Sequence, residues 1–418
     1  MMKAEIIAIG TELLIGGDTS ENSSFLSREL TRLGCHVRWM SIVGDDQRDI
    51  ETALQQAASR ASVIVTTGGL GSTEDDVVRK AVSHVAGRRL ILHEKLLAQL
   101  EHRFARRQKP LPISLSRQAL IPARAHVLPN SLGTAPGFVL HWGECYLLCL
   151  PGGSQEMRLM FSDCARPYLE RLKHRAVILV RILRTTGLAE SEINERLKDL
   201  FHPPKADRVP ITLGRVARLT GVDLHLGGMG RSESEILRVL SPWMEKVRER
   251  LGEAIYGVDD ETLEAVVGRL LAERGLRLAV AESCTGGLIG HRLTNVPGSS
   301  AYLDSVSVCY SNFSKTEILG VPPRLLSEHG AISAPVAVAM ASGVRERSRT
   351  DLGLAVTGIA GPTGATPDKP VGLVFFALSS VSGVQTHFTQ FKGDREAIKE
   401  QAAQSALDLL RRYLLAVR

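Results

Sequence analysis

Aromatic side chains make up only 5% of the 418 residues, and no basic stripe carries interleaved aromatics. A stacking surface for single-stranded nucleic acid is therefore not expected. Cysteine is scarce as well. The six, Cys35, Cys145, Cys149, Cys164, Cys284 and Cys309, make no C-x-x-C pair and no cluster with histidine, which argues against a zinc site. Scattered single cysteines instead suit buried apolar positions in a reducing compartment. The excess of positive charge is thin: 51 Lys and Arg against 45 Asp and Glu leave a formal +6. That balance permits phosphorylated small-molecule ligands and does not call for nucleic acid. The apolar run at residues 6–9 is broken by Gly10, Thr11 and Glu12, too soon for a signal-peptide core or a membrane span. A cytoplasmic protein with no membrane partner is expected. Internal repeats, low-complexity stretches, a G-x-S-x-G elbow and histidine pairs at ligand spacing are all missing.

What is present is ordinary soluble-protein composition, 44% hydrophobic and 23% charged. The length exceeds the ~250–300 residues at which one core stops growing and suggests about three domains. Residues 1–174 alternate strands (5–9, 37–43, 61–66) with helices (the stripe Phe25, Leu26, Leu30, Leu33, and 49–59). This pattern predicts a parallel α/β sheet with ligands at the carboxyl ends of its strands. A hairpin around Gly143 and a helix over 155–172 complete the segment. Residues 175–259 read as a small α+β connector. Its expected parts are a strand at 176–183, a helix bearing Ile193, Leu197 and Leu200, a proline-marked loop, a strand at 222–226 and an amphipathic helix at 236–251. Residues 260–418 restart the α/β alternation. Strands are expected at 278–281, 305–309, 353–356, 371–377 and 384–391, with helices at 263–271 and 394–415.

Several turns carry chemistry. In the first segment, Thr66-Thr67-Gly68-Gly69-Leu70-Gly71-Ser72-Thr73-Glu74-Asp75-Asp76 leaves a buried strand for a helix. Its glycines allow close approach of a phosphate, and Asp75 and Asp76 suit a divalent cation bridging to that phosphate. A plain glycine turn with acids against the helix dipole fits the spacing as well. A second turn, residues 150–157, offers Ser154 as an N-cap. In the third segment, Ala281-Glu282-Ser283-Cys284-Thr285-Gly286-Gly287 sits at a strand–helix junction, a setting for an oxyanion or phosphate, or for a simple Thr285 cap. Then follow Pro297-Gly298-Ser299-Ser300 and Cys309-Tyr310-Ser311-Asn312-Phe313-Ser314-Lys315. A serine without a histidine base needs another activator, and Lys315 and Tyr310 are the candidates. The glycine loop from Thr357 through Gly358 and Gly361 matches neither the Rossmann nor the Walker pattern but leaves a strand where ligands gather. Arg395, after the N-cap candidate Asp394, suits a phosphate clamp.

With these blocks placed, the chain resembles the competence/damage-inducible CinA family over essentially its whole length. Gly10-Thr11-Glu12-Leu13-Leu14, Val43-Gly44-Asp45-Asp46 and residues 67–76 resemble a molybdopterin-binding domain of the Mog/Moe type. Residues 281–287, 296–300, 310–312 with Lys315, 356–362 and 393–396 resemble the family's amidase domain. The resemblance implies a C-terminal nicotinamide-nucleotide amidase. Such an enzyme converts nicotinamide mononucleotide to nicotinic acid mononucleotide and ammonia, a salvage reaction needing no cofactor. The implied nucleophile is Ser300, with Ser283 as its competitor, and Tyr310 and Lys315 would manage its proton. Glu282, Thr285, Gly286, Thr357, Gly358, Gly361 and Arg395 would hold the substrate. For the N-terminal domain the family implies metal-dependent ADP-ribose hydrolysis, with magnesium or cobalt on Asp46, Asp75 and Asp76. A homodimer is implied as well, and the family name raises a noncatalytic role in competence or recombination. The chain departs from the pattern at Ser72, Val78, Gly153-Ser154 and residues 17–22, around the N-terminal phosphate turns. In the last helix Lys399 stands where arginine is common, which keeps the charge and loses the bidentate fork.

Overall fold

A computed structural model describes residues 2–16, 20–71, 77–106, 108–172, 177–201 and 209–417. The chain divides into two compact units. One comprises Met1–Leu179, Asp207–Pro210 and Gly228–Val239, and the other Val180–Ala206, Ile211–Gly227 and Leu240–Arg418. Among the described residues no helix is long and apolar enough to cross a membrane.

The N-terminal domain is α/β, as the alternation predicts. Its six-stranded sheet runs Cys35–Val43, Met2–Ile9, Val63–Thr67, Cys145–Leu150, Gly137–Trp142, His126–Leu128. The first four strands are parallel and the last two antiparallel. Successive residues of the second strand feed opposite faces: Ile7 and Ile9 join one core cluster, Ala4 and Ile6 the other. Burial on both faces is why residues 6–9 of this strand read as an unbroken apolar run. The helix expected over 155–172 is interrupted. Ser154–Met160 passes into a single π turn at Phe161–Ala165 before Arg166–Arg171. Short elements such as Leu90–Leu92 and Leu120–Pro122 escape a periodicity reading because three residues show no alternation.

The connector forms a four-stranded sheet in the order Ile211–Arg218, Gly221–Gly230, Val177–Thr185, Ile255–Val258. Two of these strands are not evident in the sequence. Of residues 211–218 only Ile211 and Leu213 are buried, and residues 255–258 are too few to show a period. Buried Asp223 draws in Arg184 at 2.5 Å and also pairs with Arg218, which binds neighbouring strands through one carboxylate.

The C-terminal domain is a three-layer α/β/α sandwich. Its sheet order is Leu303–Val308, Leu278–Glu282, Leu352–Gly358, Leu373–Ser380, Gly383–Gln390. The first three strands are parallel and the last two antiparallel. Leu278 and Val280 pack beneath the helices Leu263–Arg274, Leu288–Thr294 and Arg395–Ala416, and Ala279 and Ala281 face Ala334–Ser348. The parallel strands all end on one edge of the sheet. The chain emerges there at Ser283, Cys309 and Ile359, so three loops from distant sequence positions converge.

Candidate functional site

Ser283 follows directly from the central parallel strand. Its N–H donates to Val356 O at 3.0 Å, and Cys309 N–H donates to Glu282 O at 2.8 Å, so both neighbouring strands fix its position. Lys315 lies on the helix Asn312–Leu319. Ser311 caps that helix by accepting from Ser314 N–H at 3.0 Å. The capped turn sends the Lys315 side chain inward, and it ends only 1% exposed. Its Nζ donates to Ser283 Oγ at 3.1 Å, Cys309 O at 2.9 Å and Tyr310 O at 3.2 Å.

Among the described residues no carboxylate pairs with Lys315. Burial therefore dominates its titration and pushes the ammonium below the ordinary lysine value, against a smaller opposing pull from the Cys309 and Cys284 thiols. The two backbone carbonyls match the two N–H groups of a neutral amine. The amine's lone pair is then left for the Ser283 hydroxyl proton. Cys284, next in the chain, does not compete as a nucleophile: burial pushes its thiol up to about 12.

The structure separates the two candidate serines. Ser300 is exposed in the 3-10 turn Ser299–Ala301, and its side chain makes no hydrogen bond among the described residues. Ser283, at 7% exposure, is the one that meets the lysine. The geometry thus brings Ser283, and not the expected Ser300, to the lysine. Sequence spacing could not show which loop packs against Lys315, whereas the register of the three parallel strands does.

Other candidates take different places from those expected. Glu282 is fully buried, and its carboxylate accepts from Gly287 N–H at 3.0 Å, Ile289 N–H at 3.2 Å and Gly290 N–H at 2.8 Å. It closes the start of the helix Leu288–Thr294 and is no longer available to hold substrate. The Thr285 hydroxyl is buried and has no partner among the described residues. Gly286, at φ +64°, adopts a left-handed turn that places it beneath the ammonium of Lys399, with a built Cβ 3.7 Å from Nζ. Thr357 Oγ1 donates to Ala331 O at 2.9 Å and so ties the strand end to a neighbouring loop. Gly358 is a packing glycine, since a Cβ there would stand 2.7 Å from Val374 Cγ2 and 2.8 Å from Leu373 O.

Arg395 begins the helix Arg395–Ala416 behind the Asp394 cap. It donates to Gly361 O at 2.7 Å and to the Tyr310 hydroxyl at 2.8 Å. Tyr310 is 61% exposed and its ring faces Arg395, while only its backbone carbonyl meets Lys315. A direct proton-handling role for its phenol has no contact behind it. Lys399, which the sequence offered only as a family departure, stands one helical turn beyond Arg395.

In the N-terminal domain a cavity of 470 Å³ opens at the carboxyl ends of the parallel strands. Its lining includes Glu12, Asp45, the Gly68–Gly71 turn, Gln118, Gly152 and Glu156. Gly68, at φ +107°, has no room for a side chain: a Cβ would lie 2.0 Å from Ile9 O. Asn22 donates to Thr67 Oγ1 at 3.2 Å and Gly152 O at 2.8 Å, and its own Oδ1 is buried with no partner among the described residues. Asp46 is a helix cap rather than a free metal ligand, because its carboxylate accepts from Arg48 N–H at 2.8 Å and Asp49 N–H at 3.2 Å. The other two expected ligands, Asp75 and Asp76, lie outside the described residues. Among the described residues no group of three His, Cys, Asp or Glu side chains is arranged to hold a metal ion.

Three family models cover nearly all of the chain: a probable molybdopterin binding domain at residues 5–171, a damage-inducible protein CinA KH domain at 180–257, and a CinA C-terminal domain at 260–414. The CinA-like protein of Geobacter sulfurreducens is 43% identical over 415 residues, 99% of this chain and 100% of that one. The chain belongs to the CinA family. The CinA-like protein of Geobacter metallireducens is 42% identical over 416 residues, again spanning 99% of this chain and 100% of the relative. A solved competence-damaged protein (CinA) superfamily structure from Klebsiella pneumoniae is 34% identical. It covers 37% of this chain and 96% of its own, at a TM-score of 0.36. The connector of this CinA protein is thus the segment matched by the family's KH model, a match that its sequence periodicity alone does not reveal.

Proposed function

We propose that the C-terminal domain is a serine amidohydrolase that converts nicotinamide mononucleotide to nicotinic acid mononucleotide and ammonia. The observation that carries this is the buried Lys315–Ser283 pair, with two carbonyls orienting the amine and no carboxylate holding its charge. Neutral Lys315 takes the Ser283 hydroxyl proton as Oγ bonds to the carboxamide carbon. The carbonyl π electrons move to oxygen, giving a tetrahedral adduct. Collapse of the adduct breaks the C–N bond, and the Lys315 ammonium returns its proton to the departing nitrogen, which leaves as ammonia. Water then attacks the acyl-enzyme, with Lys315 again accepting a proton and passing it to Ser283 Oγ. The acid is released and the serine restored. Neither a metal nor a redox cofactor takes part in this scheme.

The substrate class comes from the family resemblance, and the cationic rim of Arg395 and Lys399 agrees with a phosphorylated substrate. Purified protein incubated with the mononucleotide should release ammonia, and Ser283→Ala should abolish the release. Full activity in Ser283→Ala together with its loss in Ser300→Ala would transfer the nucleophile's role to Ser300.

A second activity, metal-dependent hydrolysis of ADP-ribose, is favoured by the glycine-lined N-terminal cavity with Glu12, Asp45 and Glu156 in its wall. Assay of ADP-ribose with and without magnesium or cobalt tests it. The described carboxylates do not by themselves make a metal centre, so no step is assigned to a metal here.

A further inference from the structure

We infer that the cleft between the connector and the last helix binds the adenine edge of a purine nucleoside, as a second ligand site apart from the serine–lysine centre. Both of its walls lie within the second compact unit. The inference does not rest on the deamidase reading.

The cleft holds 480 Å³, within the range of small-molecule sites, and Ser283, Tyr310, Lys315 and Arg395 are not in its lining. One wall is the turn joining Ile211–Arg218 to Gly221–Gly230, with the loop that follows Val177–Thr185. The other is the helix Arg395–Ala416 and the strand end at Phe391. Hydrogen bonds fasten the walls: Thr186 N–H donates to Ala254 O at 2.9 Å, and Arg411 on the helix donates to Glu253 O at 2.5 Å. The described lining carries two charged side chains, and both are paired. Arg218 is bound to Asp223, and Glu190 to Arg215 at 2.9 Å. The groups left to meet a ligand are therefore neutral.

Gln404 points to the ligand's chemistry. Its side chain is only 5% exposed, and Arg292 donates to its Oε1 at 2.8 Å. A guanidinium can only donate, so this contact fixes which end of the amide faces the arginine and turns the N–H₂ away from it. Among the described residues that N–H₂ has no acceptor, yet it is not sealed off, so it opens on the cleft that Gln404 lines. Buried amides are ordinarily paired, and a ligand that brings an acceptor completes this one. Three residues earlier on the same helix face, Gln401 is oriented the opposite way. Its Nε2 donates to Lys392 O at 2.8 Å and Ala397 O at 3.0 Å, which leaves Oε1 open as an acceptor. The helix thus offers a donor and an acceptor one turn apart. Adenine carries the matching edge, with N7 accepting and the N6 amine donating, the pattern that glutamine reads in nucleic acids. Phe391, half-buried and set at 80° to Phe376, and Leu219 supply apolar walls for the base. Hypoxanthine has an oxygen in place of the amine and would set it against Gln401 Oε1.

Adenosine and inosine, titrated calorimetrically into the full-length wild type, Gln404→Glu and Ser405→Leu, provide the test. Glutamate keeps an oxygen for Arg292 and puts an acceptor where the N–H₂ stood. Leucine narrows the cleft from the neighbouring position and leaves that contact alone. Wild type should bind adenosine, and inosine about tenfold more weakly, through loss of one hydrogen bond. Each substitution should weaken adenosine at least tenfold in a protein whose ligand-free melting shows it folded; should Gln404→Glu fail to fold, Ser405→Leu decides. Three results overturn the inference: no adenosine binding by wild type, equal affinity for the two nucleosides, or adenosine affinity unchanged in a folded variant, which places the base elsewhere. Ammonia release bears on the deamidase reading alone and alters none of these outcomes.

Discussion

Replacing Lys315 by methionine tests the chemistry most directly, because methionine keeps much of the side chain's length and removes only the amine. Two effects compete. A positioned general base contributes roughly 10²–10⁴-fold, and at 1% exposure no water stands ready to replace the lost amine. A drop in kcat/KM of about a thousandfold follows, roughly 4 kcal/mol of transition-state stabilisation. On stability the terms oppose each other. Cys309 O loses its donor and is left buried, at about 1–3 kcal/mol, while the part-buried Tyr310 O loses one at lower cost, and the cost of burying an amine disappears. The net change should stay within about 2 kcal/mol.

The pH dependence has a definite sign. The folded protein holds Lys315 below its ordinary value, so the unfolded chain binds more protons between the two values and wild-type stability rises with pH across that window. Lys315→Met lacks this slope and should gain on the wild type as pH falls. Wild-type kcat/KM should climb as the amine loses its proton and level off below the ordinary lysine value. Ammonia release, denaturant unfolding and the pH–rate profile together decide the matter. Release within tenfold of wild type by Lys315→Met, or a wild-type kcat/KM that shows no climb with pH before its plateau, would refute the assignment.

Three further outcomes are expected. Ser283→Ala should lose ammonia release almost completely while Ser300→Ala keeps more than a tenth of it, measured in single-turnover conditions. Glu282→Gln turns an amide N–H₂ toward backbone donors and should destabilise the C-terminal domain by about 2 kcal/mol or more, seen in urea unfolding. Gly68→Ala meets the Ile9 carbonyl 2.0 Å away at φ +107° and should lower the N-terminal domain's melting transition by several degrees; an unchanged melt would show that the turn relaxes freely.

Much of the fold is legible in the sequence wherever a strand is buried on both faces. Residues 6–9, 63–65 and 278–281 are apolar throughout because both faces of the sheet are covered, and glycine or a hydroxyl residue follows soon after each run. The connector was less legible. Its strand at 211–218 buries only Ile211 and Leu213 and leaves its other six residues exposed, so no apolar run marks it. Of the site, the blocks around Ser283, Tyr310, Lys315, Gly361 and Arg395 are visible as motifs and the structure brings them to one edge of the sheet. Which serine meets the lysine is not visible, because the answer depends on the pairing of strands far apart in the chain. The same holds for Glu282 and Thr357, whose polar groups look available in sequence and turn out to be engaged by backbone partners. Lys399 is inconspicuous among the helix's other charges until Gly286 is found beneath it.

The carboxylate of Glu282 has one further consequence. Phosphate loops that bind through their own amides are organised by the ligand, so their shape and their specificity change together. Here the internal anion of Glu282 already fills the amides of the turn, so a substrate anion would have to be met by side chains from elsewhere. In the proposed amidase, a single codon change among those side chains would retune which anion is preferred and leave the Ser283 turn, held by Glu282, as it is. Chemistry and selectivity are free to diverge independently on this scaffold.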